Sequence, residues 1–90
     1  MEKKEILHLN LMRKYFDEIA SGEKRQEYRA YKPYWKKRLE GRDYDEIEFR
    51  NGFLPDSRRM RVKYLGLERD GNDYGIRLGK ILRKPWRPRG

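Results

Sequence analysis

Ninety residues with 24 Lys and Arg against 15 Asp and Glu give a net charge of +9 and room for one small core. The absence of cysteine excludes disulfides, thiolate zinc sites and a cysteine nucleophile, and a single histidine excludes a His-rich metal site, so neither metal nor cofactor is expected. No apolar run approaches the ~20 residues of a membrane span, and Glu2, Lys3, Lys4 and Glu5 interrupt any signal-peptide core, which together predict a cytoplasmic protein with no membrane partner.

Residues 5–9 read as a first strand, with Leu7 and Leu9 on one face and Ile6 and His8 on the other. A lone strand histidine such as His8 is more often a half-buried side chain than a general base. Asn10 has the chemistry of a helix N-cap. Leu11, Met12, Tyr15, Phe16, Ile19 and Ala20 then form an apolar stripe at helical spacing, opposite Arg13, Lys14, Asp17 and Glu18. Ser21-Gly22 is a helix stop, with Gly22 past the cap.

The next stretch, Gly22-Glu23-Lys24-Arg25-Gln26-Glu27-Tyr28-Arg29, reads as a strand without one aliphatic residue. A strand in a small domain normally buries one apolar face. Here either face would carry charges, which are costly to bury unless paired. The strand therefore lies open to solvent or lines a polar cleft.

Lys32-Pro33 breaks the extended run, and Pro33 suits the first turn of a short helix over 34–39. Tyr34, Trp35 and Leu39 would meet the core. Residues 45–49 alternate, with Ile47 and Phe49 inward and Glu46 and Glu48 outward. Arg50-Asn51-Gly52 turns the chain, and Pro55-Asp56-Ser57 continues the loop. Met60, Val62 and Tyr64 alternate with Arg59, Arg61 and Lys63, a strand with one basic face. Asp70-Gly71-Asn72-Asp73 predicts a hairpin turn into Tyr74, Ile76 and Leu78, a strand closed by Ile81-Leu82. Gly75 and Gly79 are candidate bulges that would let the sheet curve. Residues 83–90, with four basic residues and two prolines, read as a basic tail after a single domain over 1–82.

Leu, Ile, Val and Phe number only 18 of 90, near the border of disorder, but the periodicity of several segments argues for a fold. The order β-α-β-α-β-β-β predicts an α+β domain, a small barrel-like sheet with two helices packed on it. Charge is uneven: residues 51–90 carry eleven positive and four negative groups. A basic half favours a polyanion, nucleic acid first and an anionic membrane second; docking of the basic half on a partner protein, testable at Arg58, Arg59 and Arg61, is a further reading, and a basic surface with no dedicated partner is the plainest one.

Lys24, Glu27 and Arg29 carry the chemistry. In a regular strand Glu27 and Arg29 point the same way and can pair. Lys24 points the other way unless it sits in the turn before the strand, which Gly22 permits. A lysine beside a carboxylate in a cleft is a general acid or base, or an anchor for phosphate; the alternative is a solvated ion-pair ladder on an edge strand. Tyr28, Tyr31, Tyr34 and Trp35 interleave with Arg29, Lys32, Lys36, Lys37 and Arg38, a pattern in which cations hold phosphates and rings stack on unpaired bases.

Gly22-x-Lys24-x-x-Glu27-x-Arg29, placed after an amphipathic helix, resembles the GxKxxExR signature of ASCH domains in the PUA-like superfamily of small β-barrels. Residues 6–82 are similar to the family in length and element order, and Lys32-Pro33-Tyr34-Trp35 and Phe49-Arg50-Asn51-Gly52 look like features of its compact stand-alone bacterial and phage members. The resemblance implies a PUA-like barrel and an RNA- or nucleotide-related role, with a cleft lined by Lys24, Glu27 and Arg29. It also implies a wider binding set of Tyr28, Lys32, Trp35, Arg50 and Asn51. Some members are amidohydrolases that use the motif lysine and a threonine three residues on; here that position is Glu27. Others cleave single-stranded RNA with a lysine, a tyrosine and a serine, for which Lys24, Tyr15 or Tyr28, and Ser57 are the candidates. The expectation is a module that binds single-stranded nucleic acid or a nucleotide, the alternative a metal-independent hydrolase with Lys24 as acid or base and Glu27 tuning it.

Overall fold

Strand β1 (Ile6–Leu11) turns directly into helix α1 (Arg13–Ala20), followed by β2 (Gln26–Ala30) and helix α2 (Pro33–Leu39). Strands β3 (Glu46–Asn51), β4 (Arg59–Asp70) and β5 (Asp73–Trp86) complete the fold. The structure is a computed structural model and describes residues 3–89. The five strands form one sheet in the order β1-β3-β4-β5-β2, curled into a half-barrel with two helices. β1 runs parallel to β3, and the other neighbours are antiparallel.

The period-2 patterns place the core as the sequence predicts. Leu7, Leu9, Ile47, Phe49, Met60, Val62, Ile76 and Leu78 face inward, and Phe16 and Ile19 of α1 cover them. Gly71 adopts φ +61° in the two-residue turn between Asp70 and Asp73, a left-handed conformation that favours glycine. Helix α2 opens on Pro33, whose missing N–H costs nothing in the first turn, and buries Leu39. Trp35 is half-buried against the core, whereas Tyr34 stays exposed.

Several expectations are corrected. Asn10 is not a helix cap: β1 runs on through it to Leu11, and Met12 precedes the helix with no side-chain cap. Pairing of Asn10 and Leu11 with Arg50 and Asn51 of β3 outweighs the local capping preference. Met12 therefore leaves the apolar stripe for solvent. Gly75 pairs in regular register with Tyr28 and Glu68. A Cβ there would lie 3.3 Å from Glu68 Cγ, a tight contact that the exposed Glu68 side chain relieves by a small shift. The register of β4 and β5 slips instead around residues 59–66, opposite a stretch containing Gly79. Strand β5 also continues beyond Leu82 into the segment read as a tail. Arg83 pairs with Arg61, Trp86 pairs with Arg59, and the Arg83 guanidinium lies 3.9 Å from the Trp86 ring centre.

Candidate functional site

The end of α1 sets the geometry of the charged stretch. Gly22 takes φ +84°, and the N–H groups of Ser21, Gly22 and Lys24 donate to the carbonyls of Asp17, Ile19 and Glu18. This ties the Lys24 backbone to the helix end, so Lys24 lies in the turn before β2 and does not follow strand alternation. Its Nζ comes within 3.4 Å of Glu27 Oε1. Glu27 points inward and is only 7% exposed. Its other oxygen accepts from Arg29 Nη2 at 2.8 Å. The three charges of the motif thus meet on one buried carboxylate, which answers how a strand without aliphatics is tolerated: its inward position is filled by a paired anion.

Two tyrosines flank the lysine. Lys24 Nζ lies 5.2 Å from the ring centre of Tyr15 and 5.6 Å from that of Tyr28, within cation–π range. Tyr15, Lys24, Glu27 and Tyr28 line a hollow of about 270 Å³. Both tyrosines are partly exposed, at 40% and 43%, so their rings are available to a ligand. Tyr28 also donates its hydroxyl to Gln26, whose amide donates to Glu68. On the far side of Lys24, a smaller hollow of about 160 Å³ brings it together with Gly22, Arg25 and Lys80.

Arg29 is occupied differently. Besides Glu27, its Nη2 donates to the Asn10 carbonyl of β1 at 3.0 Å, and its guanidinium lies 4.9 Å from the Trp35 ring centre. Arg38 donates to the His8 carbonyl at 3.1 Å, also beside Trp35. β1 and β2 are the two edges of the sheet. Gly52 donates to Leu11, on the β3 side of β1, so the carbonyls of His8 and Asn10 lie on the open edge. Two guanidinium groups stacked near one indole close that edge, where an unpaired strand would otherwise present free acceptors.

Much of the remaining basic charge is spent inside the fold. Arg61 donates to Glu46 at 2.9 Å and Glu48 at 2.7 Å, while Lys4 donates to Glu46 and Arg59 to Glu48. His8 Nδ1 lies 3.6 Å from Glu48. Hydrogen bonds from Lys4 and then Arg61 hold the Glu46 carboxyl below its ordinary value. Burial works to raise Glu48, but the Arg61 hydrogen bond and the charges of Arg61, His8 and Arg59 outweigh it, and its pKa too is lowered. Arg58 pairs with Asp17 at 3.0 Å. Arg58, Arg59 and Arg61 are therefore all paired within the chain, which weakens the docking reading that relied on them.

Of the residues singled out in the sequence, Lys24, Glu27 and Tyr28 share the hollow, and Arg29 reaches it only through Glu27. Trp35 holds guanidinium groups, and Lys32 is an exposed residue ahead of α2. Arg50 donates to the carbonyls of Phe53 and Leu54 and braces the loop after β3, while Asn51 lines a separate hollow. Ser57 is buried in that same loop, its hydroxyl accepting from Leu54 N–H, away from Lys24. Tyr15, which the sequence placed in the core stripe and also offered with Tyr28 as a candidate beside Lys24, lies with Tyr28 at the hollow.

Among the described residues no group of His, Cys, Asp and Glu could hold a metal ion, and no helix is long and apolar enough to cross a membrane. No protein-family model matches the chain, and no curated protein matches it in sequence.

Proposed function

We propose that the chain is a binding module for single-stranded nucleic acid or a nucleotide, of the ASCH type and RNA-related, with the Lys24 hollow as its site. The observation that carries this reading is the placement of one ammonium group against a buried carboxylate and between two partly exposed phenol rings. Lys24 has three N–H donors, and Glu27 lies 3.4 Å away as an ion pair. Those donors can reach a phosphate or a base carbonyl, while Tyr15 and Tyr28 offer faces on which an unpaired base stacks. The net charge of +9 adds a salt-dependent attraction for any polyanion.

The test is fluorescence anisotropy with short labelled RNA and DNA single strands. Lys24→Ala removes a charge-assisted contact and should weaken binding roughly tenfold or more. Affinity should also fall as salt rises. Unchanged affinity in Lys24→Ala would remove the hollow as the site.

The Lys24–Glu27 contact also serves a second reading, a metal-independent hydrolase with Lys24 as acid or base. The four side chains lining the hollow include no Ser, Thr or Cys, so the attacking group would be water. Labelled RNA and acylated nucleosides incubated with the protein in chelator decide between the two. Product that disappears in Lys24→Ala favours the enzyme, and stable bound ligand favours the module.

A further inference from the structure

The function proposed above leaves unused the smaller hollow beside Lys24, of about 160 Å³. Three cations line it, Lys24, Arg25 and Lys80, and its lining contains no acidic residue. Four other hollows hold a single cation each. Arg59 and Arg61 share Glu48, and Lys24 and Arg29 share Glu27. Arg25 and Lys80 have no carboxylate partner among the described residues. Like charges gathered without an anion repel one another, and an anion that enters relieves the repulsion.

The backbone brings the cations together. Leu78 N–H donates to the Arg25 carbonyl at 3.0 Å, which fastens the turn before β2 to β5. On β5, Leu78 and Ile81 pair with Tyr64 and Val62, three steps along one strand against two along the other. The extra residue is a bulge at Gly79-Lys80, and bulges redirect side chains. Leu78 and Ile81 pack on the core and, with Ile19, give the hollow an apolar wall. Such a wall strengthens charge interactions beside it. The helix end does not need these cations, because the carbonyls of Asp17, Glu18 and Ile19 already accept from the N–H groups of Ser21, Lys24 and Gly22. The end of α1 contributes about half a negative charge, which three full positive charges outweigh.

Size and position indicate the occupant. The hollow is well below the ~300 Å³ at which ligand clefts begin, so it suits one small anionic group and not a base. Arg25 and Lys80 are exposed, so an anion reaches them from water. Lys24 lines this hollow and the one that holds Tyr15 and Tyr28. A base in one and its phosphate in the other would lie on either side of a single lysine.

We propose that this hollow is the phosphate subsite of the nucleotide whose base stacks on Tyr15 and Tyr28, with Arg25 and Lys80 as its cations and Lys24 shared between the two subsites. The inference rests on the nucleic-acid reading of the Lys24 hollow and deepens it: the site selects a phosphorylated ligand over the bare nucleoside.

The experiment titrates the four common ribonucleosides and their 3′- and 5′-monophosphates by calorimetry, and a labelled RNA single strand by anisotropy. The proteins are wild type, Arg25→Gln/Lys80→Gln, Lys24→Ala and a charge-matched control, Lys63→Gln/Lys84→Gln, in which both lysines are exposed and outside the hollow. Wild type should bind a monophosphate roughly tenfold more tightly than its nucleoside. Arg25→Gln/Lys80→Gln should abolish that preference with Tm unchanged or raised, because repulsion is removed, and the control should keep it. A matching loss of single-strand affinity, with a salt slope lower by about 0.7, would place the phosphate within a chain; a loss confined to monophosphates would identify a free nucleotide, and either supports the subsite. If Arg25→Gln/Lys80→Gln keeps the preference, or loses no more of it than the control, the subsite is wrong, and the Lys24 reading stands where Lys24→Ala still weakens binding. If wild type binds no nucleoside, monophosphate or strand, both fail together. A lower Tm with the preference intact would show that the two cations brace the fold and would overturn the proposal.

Discussion

Glu27→Gln tests the central arrangement most directly. It preserves shape and removes one charge from between two cations. The Arg29 contact is 2.8 Å and the Lys24 contact 3.4 Å. At an effective dielectric near 20, each contact provides on the order of 5 kcal/mol of gross attraction, most of it cancelled by desolvation. A hydrogen bond to a charged group nets about 1.5–3 kcal/mol. Arg29 loses that bond in charged form but keeps the Asn10 carbonyl and the Trp35 ring, and Lys24 can turn to water. The expected loss is therefore about 2 kcal/mol, mostly from the Arg29 side. For a domain of this size, 1 kcal/mol moves Tm by roughly 4–8 °C, so circular dichroism melts should show a fall of roughly 8–16 °C. The fall should persist in about 0.5 M salt, because a carboxylate this buried is poorly screened. A shift under about 3 °C, or one that vanishes with salt, would mean that the three charges form a solvated ladder and that no preorganised site exists.

Acid should weaken the protein through Glu46 and Glu48. Both carboxyls ionise below the ordinary 4.5 when folded, so their contribution is complete above that value and is lost as pH falls through the lowered native values. Arg61→Ala should thus lower Tm clearly at pH 7 and much less near pH 3; a gap that stays constant would refute the attribution. At the other end of the scale, Tyr74 is pushed up to about 12 by burial and by its hydrogen bond to Glu40. Its native state is favoured until pH exceeds the unfolded value of 10.0, and that advantage disappears as pH rises toward 12. Ultraviolet titration should show a late phenol that is lost in Tyr74→Phe, beside Tyr64, which burial also raises, and an unchanged titration in that variant would refute the assignment. Gly22→Ala meets no neighbour within 4 Å, so its cost is purely the left-handed backbone, about 1–2 kcal/mol; an unchanged Tm would show that the helix end tolerates another path.

The fold was legible wherever one local rule acted alone. The Pro33 helix start, the Gly71-Asn72 hairpin and the alternation of Ile47 and Phe49 all depend on residues within a few positions of one another. It was illegible wherever a distant strand decided. Nothing near Asn10 announces that β3 will pair with it in parallel and extend β1 past the apparent cap. Nothing near Arg83 shows that Arg61 and Arg59 will recruit residues 83–86 into the sheet. The Lys24–Glu27–Arg29 cluster lies between these cases. Pairing of Glu27 with Arg29 follows from strand alternation, but the position of Lys24 depends on how the Gly22 turn leaves the helix. The identity of the tyrosines around it depends on how α1 sits on the sheet.

Variants of the motif disturb more than one contact. Arg29 serves two structures at once: it holds Glu27, and it closes the edge between β2 and β1 through the Asn10 carbonyl. Trp35 supports it there, together with Arg38 on His8. Loss of binding in Arg29→Ala would therefore mix a missing contact with a loosened seam. Lys24 makes no side-chain bond to the backbone among the described residues, and Glu27 keeps its Arg29 partner when Lys24 is removed, so its removal should cost the fold about 1–2 kcal/mol. Arg29→Ala and Trp35→Ala should destabilise by similar amounts and, combined, by less than their sum, because both act on one seam. Lys24→Ala should add independently of Trp35→Ala. If instead the Arg29 and Trp35 losses simply add, the guanidinium is not working through the indole, and the closure of the sheet edge must be sought in other contacts.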